Sequence, residues 1–190
     1  MILPMTFFLA FIAVAVGLAW WWVSRIPVTP PQVAMMAQRI AFPGGVRLGD
    51  PERALAALAR PDEIVIPFER ARLLIVYPLT VPATVPIQAA LAHGFTRGEL
   101  LRAICEEYAN VYEAEEATAA IKPVPREERE ELQGRPERNR TDGVYGIWGH
   151  DLDELVLTAL HWTRAADGAV TIELHVEVQP RGTGAPSPAA

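Results

Sequence analysis

The first 23 residues, MILPMTFFLAFIAVAVGLAWWWV, carry no charged side chain, and only Pro4, Thr6 and Gly17 interrupt their apolar character. A hydrocarbon core about 30 Å thick is crossed by roughly 20 apolar residues, each rising about 1.5 Å. Pro4 falls in the first turn, where a missing N–H costs little. Trp20, Trp21 and Trp22 stand at one end, where indole rings favour the headgroup level, and Arg25 follows them. The run therefore predicts a single transmembrane helix over residues 1–23. A cleaved leader would begin with Lys or Arg and end in small residues, and this run does neither. Interfacial anchoring also explains the tryptophan triplet more economically than contact with a pigment or quinone.

No basic residue precedes the span, whereas Arg25, Arg39 and Arg47 follow it. The positive-inside rule then predicts an outer amino terminus and a cytoplasmic C-terminal domain. A lone cysteine, Cys105, agrees with a reducing compartment. Charge is divided along the chain. Over residues 25–60, five arginines face Asp50 and Glu52, a net of +3, and the remainder carries the balance of the total of −6, which is −9. The proximal part can lean on anionic headgroups, with Arg25 and Arg39 at the membrane interface. An acidic distal domain makes nucleic acid an unsuitable partner.

Beyond the span the pattern predicts an α+β domain: a small mixed or antiparallel sheet packed by one long helix and shorter ones. Thr29 and Pro30 open a short helix to about Ala41, with Val33, Met36, Ala37 and Ile40 on one side. It reads either as a core helix or as a helix lying in the membrane interface. Asp50-Pro51-Glu52 opens a second helix, to about Arg60. Glu63–Pro67 and Arg72–Tyr77 read as strands, and Ala83–Ala89, set among Pro78, Pro82 and Pro86, as an edge strand. Thr96 and Glu99 form a capping box, with Phe95 and Leu100 as its hydrophobic staple. A long helix follows to about Ala120, its apolar stripe made by Leu101, Ile104, Cys105, Tyr108, Val111 and Tyr112. Glu106, Glu107, Glu113, Glu115 and Glu116 read as a solvated acidic face.

Residues 122–142 are nearly all charge, proline and polar side chains, which predicts an exposed loop with at most one helical turn. Gly143 to Asp151 reads as a tight, half-buried connection. Asp151 and Glu154 form a second capping box before a short helix carrying Leu152, Leu155, Val156 and Ala159. The chain then predicts a hairpin about Ala166-Asp167-Gly168 that pairs Trp162 with Ile172, Leu160 with Leu174 and His161 with Glu173. The expected organisation is a transmembrane helix at 1–23, a juxtamembrane linker with short helices at 24–60, a soluble domain at 61–179 and a disordered tail at 180–190.

Three pieces carry a resemblance: Phe95-Thr96-Arg97-x-Glu99-Leu100, Tyr108-x-x-x-Tyr112-x-x-Glu115-Glu116, and Tyr145-Gly146-Ile147-Trp148-Gly149-His150-Asp151. In these the chain resembles a scattered group of small α+β proteins to which no activity is attached. The likeness covers about residues 72–176 and implies a common module but no functional residue.

His150 and Asp151, with Asp153 and Glu154 nearby, form the one cluster that could supply a general base or a metal ligand. A helix cap accounts for the same residues without chemistry. Glycine-rich phosphate loops, C-x-x-C pairs and G-x-S-x-G elbows are absent from the sequence. The expectation is a non-enzymatic, single-span module without cofactor or metal, serving as an accessory or structural subunit of a larger membrane complex of energy-transducing, photosynthetic or secretion type. Its partners would be the membrane and other subunits, through Tyr145, Ile147, Trp148, His150 and Asp151. A membrane-tethered enzyme or metal-binding protein centred on His150 and Asp151 is the competing expectation.

Overall fold

The computed structural model describes residues 36–129, 131–132 and 135–179, all of them within the unit Met35–Ala190. The expected membrane span, Trp20, Trp21, Trp22, Arg25 and the expected tail 180–190 lie outside the described residues. No helix among the described residues is long and apolar enough to cross a membrane.

The chain is an α+β fold. Its strands are β1 (Met36–Arg47), β2 (Ile64–Ile66), β3 (Arg70–Ile75), β4 (Ala83–Gln88) and β5 (Phe95–Thr96), then β6 (Glu131–Leu132), β7 (Arg135–Pro136), β8 (Leu155–Arg164) and β9 (Val170–Val178). Among the described residues two helices, α1 (Pro51–Ala56) and α2 (Arg97–Thr118), accompany them. The main sheet has the order β1-β8-β9-β3-β4, with β3 and β9 parallel and the other neighbours antiparallel. Strand β4 lies at an edge, where Pro86 removes no donor that the sheet needs.

The hairpin of β8 and β9 has the register that strict alternation dictates: Leu160 opposite Leu174, Trp162 opposite Ile172, His161 opposite Glu173. A slip of one residue would send Trp162 and Ile172 to solvent, so burial alone selects the pairing. Helix α2 begins as its capping box requires. Thr96 accepts the Glu99 N–H at 3.2 Å, and the Glu99 carboxylate returns to the Thr96 N–H at 3.4 Å. Phe95, Leu100, Leu101, Ile104 and Tyr108 are fully buried in one core with Leu73, Ile75, Leu160 and Ile172. Each such side chain is worth roughly 1.5–3 kcal/mol relative to exposure. Thr96→Ala should lower stability by about 1 kcal/mol, read from the denaturant midpoint, because one amide of the first turn loses its acceptor.

Five expectations are corrected. The helix expected to about Ala41 is strand β1 over its described part, with Arg39 exposed on it. Ile40 and Phe42 are buried two residues apart, and β1 pairs with β8 along its length, broken by an irregularity around Pro43-Gly44-Gly45. Over so few residues apolar side chains fit either period, and pairing with β8 decides between them. Segment 36–60 is therefore an edge of the sheet and helix α1, and not a linker: Leu48 and Ala54 join the same core. Helix α1 keeps its Asp50 cap, with the Arg53 N–H at 3.2 Å, but ends at Ala56.

The short helix expected after Asp151 is a single 3-10 turn, Leu152–Glu154, and β8 begins at Leu155. Leu155, Val156 and Leu157 are all buried, flanked by β1 and β9 on either side, so the sheet outcompetes the cap. Lastly, residues 122–142 are not uniformly exposed. Arg138 and Thr141 are buried, and a 3-10 turn spans Arg126–Glu128.

Candidate functional site

The second and third of the resembling pieces meet in space. Tyr108, Tyr112 and Glu115 recur at steps of four and three, so they share one face of α2. The Tyr108 hydroxyl donates to the Tyr77 carbonyl at 3.0 Å, and the Tyr112 hydroxyl to the His150 carbonyl at 3.0 Å. Burial raises both phenol pKa values, so both remain neutral donors. One turn further on, Glu115 is completely buried. It accepts the Thr141 hydroxyl at 2.5 Å and the N–H groups of Gly143, Tyr145, Gly146 and Ile147 at 2.8, 2.8, 3.0 and 3.4 Å. The acidic face is thus corrected at one position: Glu115 belongs to the interior, while Glu106, Glu113 and Glu116 are exposed.

This carboxylate shapes the connection that precedes β8. A loop that turns its N–H groups inward must satisfy each of them, and one side chain with two oxygens does so here. Gly143 is required by proximity, since a Cβ there would lie 2.5 Å from the Glu115 carboxylate oxygen. Gly146 has φ +63°, a left-handed conformation that glycine adopts without strain. Thr80 ties down the far side, its hydroxyl donating to the Gly146 carbonyl at 2.8 Å. The Trp148 N–H donates to Pro78, and the Trp148 ring meets Tyr77 edge to face at 5.6 Å.

Beyond Trp148 lies a cluster of charges. Asp151 receives Arg129 in a two-pronged contact at 2.5 and 3.1 Å, and Arg138 at 3.2 Å. Arg138 also reaches Glu116 at 3.3 Å and lies over the Tyr112 ring at 5.3 Å. Arg126 joins Glu154 at 2.5 Å and Asp153 at 3.6 Å. Nδ1 of the buried His150 stands 3.5 Å from the Glu154 carboxylate. Burial pushes the Asp151 pKa up, but the guanidinium contacts of Arg129 and Arg138 outweigh it and hold the carboxyl below its ordinary range. Glu115 follows the same logic: burial raises it, and the Thr141, Tyr145, Gly146 and Gly143 hydrogen bonds bring it down further.

Both carboxyls therefore have lower pKa values folded than unfolded, so the unfolded state takes up protons first as pH falls. Their contribution is complete above the ordinary values of 4.5 and 3.8 and is lost as pH drops through the folded values. Denaturant midpoints should hold steady near neutrality and fall below about pH 4.5, and Glu115→Gln should flatten that fall.

The residues singled out by the sequence divide sharply. Ile147 and His150 are buried, Asp151 is committed to two arginines, Tyr145 is half-buried, and Trp148 is 41% exposed. Arg39 lies on β1, and Cys105 is a buried free thiol whose pKa burial pushes up to about 11. Among the described residues no group of three or more His, Cys, Asp or Glu is placed to hold a metal ion. Glu115, Thr141, Arg129 and Arg138 escaped the sequence reading. The signal for Glu115 was its place on the buried stripe, seven residues after Tyr108. On the other side of the glycine connection a recess of about 420 Å³ is lined by Thr80, Val81, Ile121, Arg140, Thr141, Asp142, Gly143 and Gly146. Comparison with protein-family models, curated proteins and solved structures finds no match to this chain.

Proposed function

We propose that the chain is a non-enzymatic, membrane-anchored protein-binding module that serves as an accessory or structural subunit of a larger membrane assembly. The anchor in this reading is the uncharged run 1–23. The observation that carries the binding role is where the domain leaves large apolar side chains exposed. Of the seven such side chains among the described residues, Ile64 and Leu91 stand elsewhere and five gather here, Val76, Val81, Ile121, Val144 and Trp148, 41–54% exposed. They sit on segments hydrogen-bonded to one another around the glycine connection: Val81 to Tyr145, Trp148 to Pro78, Val144 to Thr118 and Ile121 to Asp142. Apolar side chains gathered at a rigid surface mark sites of association. Glu115 and Thr80 supply the rigidity, so little ordering entropy is lost on docking.

The test is affinity purification of the full-length chain in mild detergent, with mass spectrometry of what accompanies it. A stoichiometric set of membrane subunits is the expected result, and a chain that purifies alone overturns the reading.

A further inference from the structure

We propose that the outer edge of β1 pairs with the same edge of a second copy of this chain, joining the two main sheets antiparallel. This goes beyond the module reading and does not rest on it. Strand β1 ends the order β1-β8-β9-β3-β4, so one of its two sides meets no described strand. From Met36 to Ala41 it runs in unbroken register with Arg164 to Ala159 and contains neither proline nor glycine. Ala37, Gln38, Arg39 and Ala41 are exposed there. The far edge is different: β4 carries Pro86, with Pro82 just before the strand, and a proline at an edge offers no N–H to a further strand. The sheet is thus blunted on one side and open on the other.

The backbone sets which groups are free. The Ala41 carbonyl accepts Arg97 Nη1 at 3.4 Å, so it faces away from β8. Backbone groups alternate in direction along an antiparallel strand, so Ala37 and Arg39 also turn their N–H and C=O groups outward. Arg97 closes that row at Ala41 and leaves Ala37 and Arg39 open. An unpaired row of this kind is a template for another strand. With Pro86 on the opposite edge, head-to-tail pairing from copy to copy is blocked, whereas β1 against β1 about a two-fold axis closes at two copies.

One register uses both open residues and no others. Residues directly opposite share a face of the sheet, so the axis passes through one residue of β1. Centred on Arg39, it sets two guanidiniums directly opposed, which is unfavourable. Centred on Ile40, it needs Ala41, whose carbonyl Arg97 already holds. Centred on Gln38, it places Arg39 of each copy against Ala37 of the other, and each such pair exchanges two backbone hydrogen bonds. The small Ala37 leaves room for the Arg39 side chain, and the two Gln38 side chains face one another.

The test oxidises single-cysteine variants of the purified full-length chain in mild detergent; native Cys105 is buried and takes no part. Gln38 stands opposite itself in a non-hydrogen-bonded pair, where Cα atoms are about 4.5 Å apart and a disulfide closes without strain. Gln38→Cys should therefore link two copies about tenfold faster than Arg39→Cys, whose diagonal separation of about 7–8 Å exceeds disulfide reach. Thr84→Cys, exposed on β4, should link no faster than Arg39→Cys. Arg39→Pro removes an outward N–H that β8 does not use, so it should slow the linkage of Gln38→Cys about tenfold and leave the circular dichroism unchanged. Equal linkage at the three positions overturns the proposal. So does linkage of Gln38→Cys that Arg39→Pro leaves unchanged, since the copies then meet elsewhere, as through the run 1–23. A chain that stays monomeric by light scattering does the same, whatever subunits accompany it; those subunits bear on the module reading alone. If Arg39→Pro does not fold, the three cysteine positions decide.

Discussion

Glu115→Ala is expected to destabilise the domain by about 5 kcal/mol, more than any other single substitution at the glycine connection. The side chain is fully buried and accepts from one hydroxyl and four backbone N–H groups. Removing it strands donors that cannot all find water, and each buried donor left unmet costs about 1–3 kcal/mol. The empty volume admits some water, which is why the total stays below the sum over five groups. Urea unfolding gives the energy, and amide exchange at Gly143, Tyr145 and Gly146 should accelerate well beyond that of β8 and β9. A loss under about 1 kcal/mol, which is within the range of one ordinary cap, would show that the loop holds its shape without this carboxylate.

Asp151→Ala should cost about 3–5 kcal/mol, the range for breaking a buried ion pair from one side. Asp151 is the shared acceptor for Arg129 and Arg138, whose side chains are only 6% and 3% exposed. Arg138 would retain Glu116, and Arg129 would retain its Nε contact to the Val124 carbonyl at 2.7 Å. Arg138 already has a buried Nε without an acceptor among the described residues, so it has no slack to absorb the loss. Asp151→Asn, which keeps one acceptor oxygen but no charge, should fall between the two proteins in denaturant midpoint. If Asp151→Ala matches the unaltered chain, the guanidiniums are reaching solvent and the cluster is a surface feature.

These two substitutions also separate what could be read in advance from what could not. The hairpin of β8 and β9 was legible because alternation over Val170–Val178 admits one register, and a turn at Ala166–Gly168 closes it. The start of α2 was legible because Thr96, Glu99, Phe95 and Leu100 act within one turn. Glu115 was read as one of a stripe of wet acids, since its partners lie 26 to 32 residues away in the chain. Arg129 and Arg138 were read as loop residues for the same reason: a run rich in charges has the composition of a solvated segment until a buried carboxylate is placed beside it. The His150 and Asp151 pair was found, but as a cluster that could act on a ligand. The structure instead turns Asp151 to two arginines and His150 into the interior.

Sequence by itself determined the features whose physics is local: the uncharged run at 1–23, the caps at Asp50 and Thr96, the apolar stripe of α2 and the hairpin register. Each depends on side chains within a turn or across one tight connection, so spacing alone carries the information. Tertiary structure decided whether 36–47 is helix or strand, which glutamate of α2 is buried, and which side of the glycine connection offers a recess. Those outcomes depend on contacts between segments distant in sequence: β1 with β8, Glu115 with Gly143 to Ile147, Val81 with Tyr145. Burial changes the meaning of a residue type, because a carboxylate that is unremarkable in water becomes, once desolvated, a group that must be given its donors and then holds them in place.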